Sequence, residues 1–256
     1  MTAVRVWCCL LALLCWGAAS AETLRLAANL WPPFTDASAL NGGVATDLVR
    51  TALARGGYAS SYVEVPWERA MRGLQRGEYD ALVAAWYGEE RAVYGHFSKP
   101  YLINRIRLLQ RKGGTIQFRQ LSDLYPYLIA VGRGYAYSPE FDNDPRLRKF
   151  VVGDFTNAAR MLSRGRVDLA LDDEMVARYH FGRDLSDIRD ELEFLPQPLS
   201  ESSSHLLVRR SHADHQRIVE AFDQAIEAMR ADGSYVAIFR RHGLEQAVEK
   251  LPALPP

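Results

Sequence analysis

Residues 44–86 read VATDLVRTALARGGYASSYVEVPWERAMRGLQRGEYDALVAAW, and this stretch sets the class of fold. Apolar residues at helical spacing predict a first helix that stops at Gly56 and a second, WERAMRGLQRGE, that ends near Gly77. The runs YVEVP and YDALVAAW, one after each helix, predict strands. TLRLAAN at 23–29 adds a strand before them. This order of strand, helix, strand, helix and strand is typical of βαβ units on a mostly parallel sheet.

A similar alternation returns in the second half of the chain. YLIAVGRG predicts a strand, GDFTNAARMLSRGR a helix with Asp154 or Thr156 as its N-cap, and VDLALDD a further strand. RIRLLQRKGG and SSSHLLVRRS also predict strands, and two helices broken at Asp232 and Gly233 are expected near the end. The repetition predicts two α/β lobes with a ligand between them, because open α/β sheets bind ligands at the carboxyl ends of their strands.

The first 21 residues have the pattern of a secretory signal peptide. Arg5 precedes an apolar run, and the small residues at 19–21 fit a cleavage site before Glu22. All three cysteines lie in this segment, at positions 8, 9 and 15, so the exported chain has no thiol for a disulfide, a nucleophile or a metal site. A leucine before Cys15 disfavours a lipid anchor. We expect export to the periplasm.

Charge and length limit the partners. The chain has 31 basic and 31 acidic residues, which gives no basic surface for nucleic acid. No later apolar run is long enough to span a membrane. About 235 residues remain after cleavage, enough for two lobes with a core each. No phosphate-binding glycine motif occurs, so the chain has no loop for nucleotide phosphates. We expect a monomer without a cofactor, and its partners are expected to be small molecules or other proteins.

Seven motifs in order resemble the family 3 extracellular solute-binding proteins, the polar amino-acid receptors of ABC importers. They are NLWPPF, GGVATDLV, GEYDALVAAW, EERAVYGHFSKPY, LIAVGRGYAYSPEF, GRVDLALDDE and DGSYVAIFRRHG. The resemblance implies a type II periplasmic-binding-protein clamshell, with two discontinuous lobes joined by crossing strands near 107–111 and 205–209. It implies a signal peptide at 1–21, a first lobe from 22–108 and 205–256, and a second lobe from 109–204. A membrane permease is the implied partner.

The resemblance also implies how a ligand is held by its charged ends. Arg91, before FSKPY, would take the α-carboxylate of an amino acid, and a planar guanidinium suits that task. The alternative is a surface ion pair with Glu89 or Glu90. Asp173, at the end of VDLALDD, would receive the ligand's ammonium, and helix N-capping is its alternative. Strand alternation would send Asp172 to the opposite face.

Aromatic residues complete the predicted site. Trp31 matches the family position where a ring covers the ligand, with core packing as the alternative. Trp86 and Tyr87 follow the third strand and are expected to line the cleft, with Tyr135 across from them. Trp67 opens a helix and is a second choice.

Two segments depart from the family pattern. Amino-acid binders usually carry serine, threonine or asparagine after the third strand, where this chain has AAWY at 84–87. A small hydroxyl residue is usual after Gly134, where this chain has Tyr135 and Ala136. Both changes replace small polar groups. They favour a ligand with an aromatic or extended apolar part, or one without a full amino-acid head group.

Two other functions stay open at this point. One is a receptor that reports ligand to a membrane signalling protein. The other is an enzyme similar to the periplasmic cyclohexadienyl dehydratase that shares this fold, for which Glu89, Glu90 and Glu174 are available acids. No G-x-S-x-G elbow occurs, and His212 and His215 have no third metal ligand nearby. We therefore predict a binding protein with no catalytic residue and no metal.

Overall fold

A computed structural model describes residues 23–135 and 137–244. The predicted signal peptide lies outside the described residues. The strands are β1 Leu24–Ala28, β2 Ser60–Glu64, β3 Ala81–Trp86, β4 Gly95–Phe97, β5 Leu102–Arg111, β6 Leu128–Gly132, β7 Arg148–Val152, β8 Leu169–Asp173, β9 Leu192–Phe194 and β10 Ser200–Arg209. The helices are α1 Val44–Arg55, α2 Trp67–Arg76, α3 Glu89–Ala92, α4 Pro139–Asn143, α5 Phe155–Ser163, α6 Glu174–Phe181, α7 His215–Ala231 and α8 Ser234–Arg241.

The strands form one continuous sheet in the order β2-β1-β3-β10-β5-β8-β6-β7, with β4 paired to β10 and β9 to β5. At one end β1 runs parallel to β2 and β3, and at the other β6 runs parallel to β7 and β8. The long strands β5 and β10 are antiparallel to each other and to the strands beside them. Two parallel α/β units joined by an antiparallel pair form the predicted two-lobed clamshell.

The two long strands carry the chain between the lobes. They pair with each other over Leu102–Ile106 and Ser200–Ser204. Beyond this segment β5 pairs with β8 in the second lobe, and β10 pairs with β3 in the first. The crossing thus lies a few residues before the segments at 107–111 and 205–209, and the lobe boundaries at 108 and 204 stay predictions.

Helix α1 shows why the sequence pattern succeeded in the first lobe. Its predicted apolar face, Val44, Leu48, Val49 and Leu53, is completely buried. Helix α1 packs against α7, which buries Phe222, so the two ends of the chain share one core. The predicted break between the last two helices is confirmed, because Gly233 adopts a positive φ of 78° that favours glycine.

The sequence analysis did not predict several short elements. Strands β4 and β9 and helix α3 have at most four residues each, too few for a clear hydrophobic period, and the five-residue elements β7 and α4, RKFVV and PEFDN, show no such period. The edge strand β7 leaves Phe150 and Val151 half exposed. Among the described residues, no helix combines the length and the hydropathy that a membrane crossing requires.

Candidate functional site

A cavity lies between the lobes, at the carboxyl ends of β1 and β3. Its walls in the first lobe are Asn29, Trp31, Trp67, Ala84, Trp86 and Arg91. Gly134 and Tyr135 line it from the second lobe. The free volume of about 40 Å³ has room for about three water molecules. This free volume is small for a molecule the size of an amino acid, so we expect side chains of the two lobes to move when such a ligand enters.

Trp31 and Trp86 form one wall of the cavity. The loop that carries Trp31 is closed by two backbone hydrogen bonds between Trp31 and Thr35. The Trp31 and Trp86 rings meet edge to face, with centroids 5.6 Å apart. Trp31 is only 7% exposed, and its Nε1 has no hydrogen-bond partner among the described residues. Trp31 thus packs in the core and lines the cavity at once.

Arg91 reaches the cavity from the single turn of α3. Its Nη1 donates to the Trp86 carbonyl oxygen at 2.8 Å, and its guanidinium lies 5.4 Å from the centroid of the Trp67 ring. Its Nε is 3.2 Å from a carboxylate oxygen of Glu90, whose side chain is 70% exposed. The structure thus shows the ion pair that was the alternative for Arg91, and it also places Arg91 in the cleft. Nη2 makes no hydrogen bond within the described part of the chain.

Tyr135 is presented by a glycine turn at the end of β6. Gly134 has a φ of 74°, and a side chain on Gly132 would press against the Tyr135 ring and the Tyr137 hydroxyl. The Tyr135 ring lies 6.1 Å from that of Trp86, edge to face, across the cleft. Burial raises the pKa of the Tyr135 phenol well above its usual range, and the charges of Asp172 and Asp173 add to this. Tyr135 therefore keeps its hydroxyl proton and can donate a hydrogen bond.

Asp173 makes contacts outside the cavity lining. Its Oδ1 accepts from the backbone N–H groups of Met175 at 2.7 Å and Val176 at 3.0 Å, so it caps α6. Its Oδ2 accepts from Asn104 Nδ2 at 3.1 Å. Burial raises the pKa of Asp173 to about 6 despite these bonds. The contacts of Asp173 are those of the helix-cap alternative, and its role as an ammonium ligand stays a prediction.

Tyr87 also lies outside the cavity lining. Its side chain is 60% exposed and contacts Phe97, with ring centroids 5.1 Å apart. Trp67, the second choice, lies in the lining. The structure therefore brings Trp31, Trp86, Arg91 and Tyr135 together, joined by Trp67.

Asn104 was not singled out by the sequence, although it lies in the segment where the two long strands pair. It is 1% exposed, and its Oδ1 accepts from Trp86 Nε1 at 3.1 Å and from the Ser204 hydroxyl at 2.7 Å. With its bond to Asp173, Asn104 links the cavity wall, both long strands and the start of α6. Because β5 also carries Arg105, Arg107, Gln110 and Arg111, a polar residue at 104 gave no distinct signal in the sequence.

The candidate enzymatic and metal residues are dispersed. Glu174 pairs with Arg107 at 2.8 Å and with Arg178 at 2.6 Å, outside the cavity lining. Glu89 and Glu90 are exposed on α3. Within residues 23–135 and 137–244, no group of three or more histidine, cysteine or acidic side chains is placed to hold a metal ion.

Comparison with known proteins assigns the family. Residues 24–245 match the bacterial extracellular solute-binding proteins, family 3, and the chain belongs to this family. The L-cystine-binding protein TcyJ of Escherichia coli strain K12 is 26% identical over 191 residues, which cover 71% of this chain. The match spans 66% of the length of that relative.

Solved structures share the fold. ArgBP from T. maritima, in a mutant form, superposes with a TM-score of 0.69 at 22% identity, covering 86% of this chain and 93% of that chain. A histidine kinase sensor domain with similarity to periplasmic binding proteins gives a TM-score of 0.70 at 19% identity, covering 86% of this chain and 95% of that one. The predicted family and clamshell fold are confirmed.

Proposed function

We propose that this chain is exported to the periplasm, cut before Glu22, and there captures a small polar, amino-acid-like ligand by closure of its lobes for an ABC importer. The position of Arg91 is the observation that supports this most. Its side chain is only 12% exposed and lines the cavity between the lobes, and its Nη2 is left for a ligand carboxylate. TcyJ is named for binding L-cystine, which is in keeping with an amino-acid-like ligand. The proposed role is binding without chemistry, with the lobe boundaries predicted from the sequence.

A thermal-shift panel tests the proposal. The purified exported chain is melted with each amino acid, with small carboxylates, with amines and with a prephenate-like compound, while product formation is followed. A ligand bound only by the folded state raises the Tm. A shift without turnover supports capture, and turnover would replace it with the dehydratase function.

Substitution of Arg91 adds the residue-level test. Arg91→Ala should weaken carboxylate binding by about 10- to 100-fold, because each charge-assisted hydrogen bond contributes roughly 1.5 to 3 kcal/mol. Arg72→Ala, which removes an exposed arginine on α2, is the matched control. Unchanged affinity in Arg91→Ala, with both variants folded, would contradict the proposal.

A receptor for a membrane sensor would use the same closing cleft. The fold shared with a histidine kinase sensor domain keeps it as the second candidate. Neighbouring genes separate the two functions. A permease and an ATPase beside this gene support transport, and a lone sensor gene supports signalling.

A further inference from the structure

The cavity lining is rich in hydrogen-bond donors. Trp31 Nε1 is buried and has no partner in the described part of the chain. Arg91 Nη2 and the Tyr135 hydroxyl also make no hydrogen bond there. An indole N–H and a guanidinium donate but do not accept. These two donors call for an acceptor that carries negative charge, whereas the acceptors of the lining, the Asn29 amide oxygen and the Tyr135 hydroxyl, are neutral.

The same lining has no carboxylate for a positive group. Both oxygens of Asp173 are engaged, by the α6 backbone and by Asn104. Asp172 is buried, and its Oδ1 accepts from the Asp173 backbone N–H at 2.7 Å. Burial and the charge of Asp173 raise the pKa of Asp172 to about 8, which favours its neutral form. Glu90 lies on the exposed side of Arg91. An ammonium in this cavity would be buried without a counter-charge, which costs free energy.

Four aromatic rings form most of the remaining surface: Trp31, Trp67, Trp86 and Tyr135. Such rings attract either a cation or a flat apolar group. Here the cationic partner is already part of the protein, because the Arg91 guanidinium lies against Trp67. A cationic group of the ligand would be repelled by the Arg91 guanidinium. The rings therefore suit a flat apolar group.

We propose that the cleft selects a small carboxylate with a flat, aromatic body and does not recognise an α-ammonium group. The carboxylate would meet Arg91 and the Trp31 N–H, and the body would lie among the rings. Asp173 would cap α6 and hydrogen-bond to Asn104 instead of binding the ligand. This inference rests on the proposed function, since it names the ligand class of the same cleft.

Three matched compounds test the inference by isothermal titration calorimetry: 3-phenylpropanoate, L-phenylalanine and 2-phenylethylamine. They share a ring and a two-carbon chain but differ in the charged groups. We expect 3-phenylpropanoate to bind about tenfold more tightly than L-phenylalanine, because the amino acid buries an unpaired ammonium. 2-Phenylethylamine should give no binding heat.

Two variants assign the contacts. Trp31→Phe keeps a ring but removes the N–H, and should weaken 3-phenylpropanoate by about 3- to 10-fold. Because Trp31 also packs in the core, the titration is run at a temperature at which circular dichroism shows the variant folded. Asp173→Asn keeps a helix-capping oxygen and should leave the ratio of the two acid affinities unchanged. A ratio that moves in Asp173→Asn would overturn the inference.

The remaining outcomes separate this inference from the proposed function. L-Phenylalanine binding as tightly as 3-phenylpropanoate, or more tightly, would overturn the inference and leave solute capture intact. An absence of binding by all three compounds, while a carboxylate without an aromatic ring raises the Tm, would also overturn the inference and leave solute capture intact. If no compound of the wider panel raises the Tm, the proposed function itself fails.

Discussion

Asp172 and Asp173 are adjacent acids with different tasks. Asp173 shares its two oxygens among three hydrogen bonds, which offset part of the cost of burial. Asp172 is 5% exposed and accepts one, from the backbone of its neighbour. Its pKa is raised to about 8 by burial first, with the charges of Asp173 and Asp154 adding to this. A change of charge at Asp172 should therefore be visible in stability.

Asp172→Asn should stabilise the fold, increasingly so at higher pH. A folded-state pKa above the ordinary value of 3.8 means that the folded chain holds this proton more firmly than the unfolded chain does. The wild-type chain thus loses stability as pH rises from about 4 to about 8, and asparagine removes this loss. Thermal melts from pH 4 to 9 should show a gain in Tm that grows with pH. The exposed Glu140→Gln is the control. A gain in Tm of the same size at every pH would contradict the predicted effect of Asp172 ionisation.

The long strands β5 and β10 connect the two lobes, and we expect them to act as the hinge. Asn104 lies in the middle of their paired segment. Its side chain hydrogen-bonds to Ser204 on β10, to Trp86 at the end of β3 and to Asp173 at the end of β8. Buried polar groups of this kind are costly when one partner is removed. Asn104 thus joins the cavity wall to the strands that carry the chain between the lobes.

Asn104→Leu should lower the free energy of unfolding by at least about 2 kcal/mol, since it leaves three buried polar groups without this partner. Urea unfolding followed by circular dichroism measures the change. Ser202 lies opposite Asn104 in the strand pair, and its side chain makes no hydrogen bond in the described chain. Ser202→Ala should therefore stay within about 0.5 kcal/mol of wild type. Similar losses of unfolding free energy in both variants would mean that the pairing of β5 with β10, and not the hydrogen bonds of Asn104, accounts for the loss.

The two lobes contact each other across the cleft through aromatic rings. Trp86 of the first lobe and Tyr135 of the second are in edge-to-face contact, and the space beside them is about 40 Å³. Ligand binding therefore requires rearrangement of this contact. Because it joins the lobes, we expect their separation to change.

Paired spin labels measure that change. Val93 of the first lobe is 79% exposed and Val151 of the second is 50% exposed, so Val93→Cys with Val151→Cys gives one label on each lobe. The three natural cysteines precede the predicted cleavage site. Electron–electron distance measurements should shift when the compound with the largest Tm effect is added. Val63→Cys with Val93→Cys, both in the first lobe, should not shift. Identical interlobe distances with and without saturating compound would count against closure.

Several elements were predictable because each has a hydrophobic pattern of its own. Helix α1 and strands β1, β3, β6 and β8 lie where the sequence placed them. Asp154 caps α5 through a side-chain oxygen at 2.8 Å from the Asn157 nitrogen, one of the two predicted caps. Short elements such as β4 and β7 are defined by pairing with distant strands, which local periodicity does not show.

The sequence by itself determined the alternation of strands and helices, the two lobes and the family, since these follow from patterns along the chain and from motif order. It also brought Trp31, Trp86, Arg91 and Tyr135 forward as site residues. Only the tertiary structure decided that Asp173 caps a helix and bonds to Asn104, that Trp67 lines the cavity, and that Tyr87 lies outside it. The sequence left a helix cap and a ligand contact equally open for Asp173, and its bond to Asn104 and the position of Trp67 depend on residues that only the folded chain brings together.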